Sequence, residues 1–131
     1  MAKTIVQKAF FRASPKELYG IYMSSRRHGA AIGAPASVEA RVGGRFGAFG
    51  VLSGKFLMLA KDKVIVQTWC SKTWKNIDPD SILILAFNSY RDGTRIELTH
   101  VQVPDYDYEG VKAGGPRYYW RLWRKYLSLR Q

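Results

Sequence analysis

The chain has 131 residues, 47% of them hydrophobic, enough for one self-supporting domain that buries roughly 65–70% of its unfolded surface. Its single cysteine, Cys70, excludes an internal disulfide, and no apolar run approaches the ~20 residues that span a bilayer. The formal net charge of +11 points either to anionic partners or simply to solubility.

The charge is unevenly laid. Residues 1–77 carry 13 basic and 3 acidic groups, 78–109 carry 2 and 7, and 110–131 carry 6 and none. With no apolar leader visible at Met1-Ala-Lys-Thr, a soluble, reducing, cytoplasmic setting is the expectation.

Residues 4–12 have strand composition. Ser14-Pro15-Lys16-Glu17 then reads as a capping box, with Ser as N-cap, Pro at the first helical position and Glu reaching back from N3. Leu18, Ile21 and Tyr22 give that helix an apolar face to about Ser24. A second short helix fits within 26–34, before Pro35 stops it.

From Ser37 to Pro104 the period becomes two, with strands expected at 37–42, 45–50, 52–60, 64–71, 81–89 and 94–103. Their connections are too short for parallel crossovers, so neighbours should run antiparallel. Arg91-Asp92-Gly93 is a hairpin signal. Because Arg95 and Glu97 belong in water, Ile96, Leu98 and His100 should face inward, as should Leu83, Leu85 and Phe87.

The last element is Pro116 to Arg130. Tyr119, Leu122, Trp123, Tyr126 and Leu127 form an apolar helical stripe. Arg117, Arg121, Arg124, Lys125 and Arg130 load the opposite face. The spacing predicts a straight helix that begins at Pro116, with Gly114-Gly115 breaking or bending the chain ahead of it.

Chemical motifs are sparse. The run Gly43-Gly-Arg-Phe-Gly-Ala-Phe-Gly50 fits neither phosphate loop nor dinucleotide fingerprint and sits between strands. It predicts sheet curvature. Asp105 to Gly110 approaches a calcium loop, but Pro116 stands where a bidentate Glu is needed. The carboxylates there suit the start of a helix instead. His28, His100 and Cys70 make no metal-ligand spacing, so neither metal nor cofactor is expected. His100 is a weak candidate acid or base, more simply read as a hydrogen-bonded core histidine. Cys70 could pair with it only from an adjacent strand. Aromatics interleaved with arginine can stack bases, yet no nucleic-acid motif accompanies them.

Several stretches together resemble a known family. They are Ser14-Pro-Lys-Glu-Leu-Tyr19, Ala34 to Phe46, Ser53-Gly-Lys-Phe56, Ile65-Val-Gln-Thr-Trp69, Ser71-Lys-Thr-Trp74, Leu98-Thr-His-Val101 and Tyr118-Tyr-Trp-Arg-Leu-Trp123. The family is named for the activator of the ninety-kilodalton heat-shock chaperone's ATPase, and the likeness is to that activator's C-terminal domain, within the START-like (SRPBCC) superfamily. The resemblance implies an α+β helix-grip fold: a curved antiparallel sheet of about seven strands around a long C-terminal helix, with two short helices after the first strand. It also implies a cavity between sheet and helix.

Relatives usually carry Trp near Gly115, which implies a wider cavity mouth here. The expected function is a single domain, 1–131, that holds a hydrophobic or aromatic small molecule. The expected lining is Phe46, Phe56, Trp69, Leu83, Leu85, Phe87, Leu98, His100, Tyr119 and Trp123. Two alternatives remain: a chaperone-binding module using its basic surface, and a cyclase-like or hydrolytic enzyme using His100. Nucleic acid and integral membrane association are not expected, and the chain is read as a monomer or weak dimer.

Overall fold

The computed structural model describes residues 2–129. Strand β1 (Ala2–Phe11) leads into α1 (Pro15–Met23) and α2 (Ser25–Ile32). The strands β2 (Ala36–Val38), β3 (Arg45–Ala48), β4 (Leu52–Ala60), β5 (Val64–Ser71), β6 (Ser81–Tyr90) and β7 (Gly93–Pro104) follow. They form one antiparallel sheet in the order β1-β7-β6-β5-β4-β3-β2. The first strand pairs with the last, Ala9 opposite Ile96, so only that long-range pairing departs from simple hairpins.

Helix α1 starts where its cap predicts, with the Ser14 hydroxyl accepting from the Glu17 N–H at 3.1 Å. The reciprocal half of the capping box does not form. Glu17 pairs with Arg27 of α2, because a guanidinium is a stronger partner than a backbone amide. Ser24 caps α2, and Gly33 ends it in the left-handed region at φ 67°. Both helices thus stop short of Pro35 as expected.

The alternation fixes the sheet's inner face correctly. Leu83, Leu85, Phe87, Ile96, Leu98 and His100 are all buried. Curvature comes from a register shift between Phe56 and Met58 and from Gly54, where a Cβ would stand 1.9 Å from the Thr68 carbonyl oxygen. Glycine there lets β5 approach β4 more closely than any side chain permits.

The C-terminal helix corrects the sequence reading. It starts at Asp105–Asp107 with a 3₁₀ turn and continues as α3 (Tyr108–Gly114), a π-helical segment (Gly115–Trp120) and α4 (Arg121–Leu129). Gly114 and Gly115 are helical, at φ/ψ −64°/−35° and −56°/−61°, and break nothing. In a regular helix the Pro116 ring would clash with the Lys112 carbonyl and leave it without a donor. Here the turn widens, with the Arg121 N–H donating to the Pro116 carbonyl five residues back. The Lys112 carbonyl instead accepts from Gln7 Nε2 of β1 at 2.7 Å.

The wide turn also brings Trp120, outside the predicted stripe, into the core at 5% exposure beside fully buried Trp123. Arg117, Arg121, Arg124 and Lys125 are exposed, and Arg130 lies outside the described residues.

Candidate functional site

Helix and sheet do not close on each other along their whole length. At one end α1 and α2 press in as a third layer and the space is filled. Trp123 is buried against Phe11, Tyr22, Tyr119 and Trp120. Phe46 stacks on Tyr22, with ring centroids 5.8 Å apart, and meets Phe56 edge-on.

A buried polar chain threads this aromatic cluster. His28 is fully buried, and its Nδ1–H donates to the Tyr22 carbonyl at 2.8 Å. That tautomer leaves Nε2 to accept from the Tyr119 hydroxyl at 2.9 Å. The Tyr22 hydroxyl donates to Gln67 Oε1 at 2.5 Å, and Gln67 Nε2 donates to the Thr68 carbonyl at 3.1 Å. Desolvation dominates both kinds of group, lowering the His28 pKa and raising those of Tyr22 and Tyr119. All three are therefore neutral near pH 7.

At the other end a cavity of about 470 Å³ remains, within the usual range for small-molecule sites. The sheet contributes Trp69, Ser71, Leu83, Leu85, Leu98 and His100, and the β3–β4 turn with the start of β4 contributes Phe49, Val51 and Leu52. The helix covers it with Gly110, Val111, Gly114, Gly115 and Tyr118 to Trp120, while Tyr22 and Asp107 complete the wall. Three of the helix's lining positions are glycine, so part of the wall there is backbone.

The mouth is marked by half-exposed Tyr118, whose ring meets Phe49 edge-on at 5.7 Å. Phe49 holds φ 57°, a left-handed conformation that costs a non-glycine residue about 1–2 kcal/mol. Its N–H donates to the Pro35 carbonyl at 2.9 Å, which helps hold the turn in that form. The β5–β6 loop closes the far side. Its Trp74 indole donates to Asp107 Oδ2 at 2.7 Å, and Tyr106 donates to Asp78.

Of the ten predicted lining residues, Trp69, Leu83, Leu85, Leu98, His100 and Tyr119 border the cavity. Phe46, Phe56, Phe87 and Trp123 do not; they are core, no more than 3% exposed. Phe46, Phe56 and Phe87 share the sheet's inner face and Trp123 lies on the facing helix, at the end that the helix pair α1–α2 covers. The sequence reading missed Phe49 and Tyr118 at the mouth, Tyr22, Val51, Leu52, Ser71 and Asp107 in the wall, and Gly110, Val111, Gly114, Gly115 and Trp120 on the helix. No sequence signal marks Asp107; the glycine spacing Gly110, Gly114, Gly115 was the available hint for the helix.

The wide mouth expected from Gly115 does not hold in that form. A Cβ on Gly115 would point at Gln7 Oε1, 2.8 Å away, and Trp120 Nε1, 3.4 Å away. The Trp120 indole therefore occupies the space beside it.

His100 is 3% exposed, and burial lowers its pKa to about 4. The Ser81 hydroxyl donates to the Trp69 carbonyl at 3.0 Å and so accepts from His100 Nε2–H at 2.7 Å. Ser81 is fully buried and outside the cavity wall, so it is out of reach as a nucleophile. His100 itself is far from the neutral range in which an acid–base catalyst works best.

Cys70 cannot pair with His100. The strand β6 separates β5 from β7, and Cys70 alternates with the cavity-facing Trp69 and Ser71. Its thiol pKa is raised by burial and by the Asp80 carboxylate, which leaves it protonated and a poor nucleophile.

A curved antiparallel sheet gripping a C-terminal helix, with a cavity between them, defines the helix-grip class of START-like domains. The family model described as "Activator of Hsp90 ATPase homolog 1-like protein" matches residues 12–127, and the chain belongs to that family. It is 32% identical over 116 residues to the human activator of 90 kDa heat shock protein ATPase homolog 1, a match that spans 88% of this chain and 34% of the relative. The chain thus spans about a third of the length of the curated relatives it matches.

Among solved structures, an HSP90 activator from Plasmodium falciparum superposes with a TM-score of 0.84 at 25% identity, covering 98% of this chain and 96% of that one. The Aha1 dimer from Colwellia psychrerythraea, at 13% identity, shares the fold with a TM-score of 0.72 over 88% of this chain and 90% of that one. No helix among the described residues is long and apolar enough to cross a membrane.

Proposed function

We propose that this domain is a non-catalytic binder of a hydrophobic or aromatic small molecule held between its sheet and its C-terminal helix. The observation that carries the reading is the cavity of about 470 Å³ with walls of Trp, Phe, Tyr and Leu. Leaving such a space unfilled costs stability in proportion to its volume, so a domain that keeps it open has a use for it. Aromatic walls supply contact area without needing polar partners.

The test is native mass spectrometry of freshly purified protein together with a thermal-shift screen of apolar aromatic compounds. A co-purified ligand, or a melting-temperature rise that grows with ligand concentration, is the expected result. No bound mass and no shift across the screen overturns the proposal.

A second reading is favoured by the family and by charge. The activator relatives are described as acting on a chaperone ATPase, and the net charge of +11 suits an acidic partner face. Under it, the domain docks on a heat-shock chaperone and alters its ATPase rate. The expected signature is chaperone capture that weakens as salt rises, together with a changed ATPase rate. An unchanged rate at saturating domain removes it.

A further inference from the structure

Among the cavity's acceptors, two keep a free lone pair, and the buried hydroxyls are occupied by protein. The Tyr22 hydroxyl is given to Gln67 and the Tyr119 hydroxyl to His28. At His100 the proton position follows from its partner. Ser81 has one hydroxyl proton, which goes to the Trp69 carbonyl, so Ser81 oxygen receives the Nε2 proton of His100. Nδ1 is then a bare lone pair. It has no protein partner among the described residues, and it is not sealed off from solvent. The residue is 97% enclosed and the cavity is the wall it borders.

The second polar group is Asp107. Its Oδ2 accepts from the Trp74 indole at 2.7 Å. Its Oδ1 lies beside Gly110, where a Cβ would come within 2.7 Å of it, and glycine leaves that oxygen clear. Among the described residues no Lys or Arg lines the cavity, although the chain holds 21 of them. The wall is therefore largely apolar, with two acceptors, one of them a carboxylate, and the Trp69 indole and Tyr118 hydroxyl as neutral donors, inside a strongly cationic protein. The local wall and the overall charge call for different ligands. Burial decides in favour of the wall, since surface cations are screened within about 10 Å at 0.1 M salt.

We propose that the ligand of this cavity is an uncharged aromatic or polycyclic molecule bearing a hydroxyl or N–H, which it donates to His100 Nδ1, and that carboxylate-bearing ligands such as fatty acids are excluded. This rests on the small-molecule reading above and names its chemical class. A donor group matched to an otherwise bare acceptor discriminates sharply, because a ligand without it leaves a buried lone pair unpaired. A carboxylate would bring its charge to a wall with an Asp and no cation.

Three probes of nearly equal size test it: 2-naphthol, 2-methoxynaphthalene and 2-naphthoate, each titrated at pH 7 by calorimetry and by quenching of tryptophan fluorescence. The expected order is naphthol tightest, the methyl ether about tenfold weaker, and naphthoate weakest. In His100→Phe the advantage of naphthol over the ether disappears, while ether binding persists. His100→Gln, whose side-chain oxygen can also accept, keeps part of it and guards against a variant that fails to fold.

Equal affinity of naphthol and ether in the wild type overturns the proposal and leaves the small-molecule reading standing. Tightest binding by naphthoate overturns it likewise. No binding by any of the three counts against the small-molecule reading itself, and this proposal falls with it. The naphthol preference should also hold down to about pH 5 and vanish near pH 4, where Nδ1 takes up a proton.

Discussion

The two ends of the space between sheet and helix are made from the same kinds of residue and finish differently. Each holds one buried histidine. At the closed end His28 has both ring nitrogens occupied by protein, Nδ1 by a carbonyl and Nε2 by Tyr119. At the open end His100 has one, Nε2, bound to Ser81. The closed end has a third layer, α1 and α2, which supplies Leu18, Ile21, Tyr22 and Ile32 to the core. The open end is covered by a helix whose lining positions include Gly110, Gly114 and Gly115. Layer count and side-chain size, rather than aromatic content, decide which end is solid. The histidine of the solid end is satisfied on both nitrogens, and that of the void on one.

If that contrast is right, truncation should hurt most where packing is complete. Trp123→Ala removes a fully buried indole with four aromatic neighbours and should cost about 3–5 kcal/mol in chemical denaturation. Leu98→Ala, on the cavity wall, should cost less, nearer 2 kcal/mol, since the neighbours there have already lost part of their contact. Equal costs would mean that the two ends are packed alike.

Acid distinguishes the histidines from the rest of the fold. An unfolded imidazole protonates near pH 6.5, whereas folded His100 resists until about pH 4. Between those values the unfolded chain binds more protons, so stability is fully present above pH 6.5 and falls as pH drops toward 4. His100 alone accounts for about 3 kcal/mol across that window, and the lowered pKa of His28 adds in the same direction. Urea titrations at pH 7, 5.5 and 4.5 read this slope. In His100→Gln the slope should shrink, and a slope equal to wild type would place its origin elsewhere.

The polar chain of the closed end offers a finer cut. Gln67→Leu strands the buried Tyr22 hydroxyl and should cost about 1–3 kcal/mol. Adding Tyr22→Phe removes the stranded group and should recover part of that loss, so the double variant is more stable than Gln67→Leu alone. Additive costs would show that the 2.5 Å contact carries no coupling.

How much of this was legible follows from range of interaction. Period-two alternation through Ile82–Phe87 and Arg95–His100 set the sheet's faces, because both depend on adjacent residues. Ser14 marked a helix start and Pro35 a helix limit for the same reason. The α-helical start of the C-terminal element is Tyr108, eight residues before the expected Pro116. Gly114-Gly115-Pro116 is a local breaker, and what rescues it is Gln7, more than a hundred positions away, donating to the Lys112 carbonyl.

The cavity residues were half visible. Leu83, Leu85, Leu98 and His100 were legible from face alternation and Tyr119 from the helical stripe, whereas Phe87 and Trp123 share those patterns but, like Phe46 and Phe56, lie under or against the third layer. Which end a residue belongs to is a tertiary fact. Phe49 and Asp107 were invisible because their roles depend on a turn's handedness and on Trp74 from another loop.

The smallest stability effect should come from filling the open end. Val111 sits half-buried on α3 at the cavity wall, and Val111→Phe adds volume where space already exists. Extra atoms in a packed core cost about 1–3 kcal/mol, but here they enter a void, so the change should stay within about 1 kcal/mol of wild type. Ligand affinity should nevertheless drop by about tenfold, since the added ring takes room from any occupant. The same enlargement at the closed end, Ile32→Phe, should show the opposite pattern: a loss of stability with little change in binding. A variant of Val111 that binds as well as wild type would show that the ligand site is not this cavity, and thermal shift against one aromatic probe is enough to decide it.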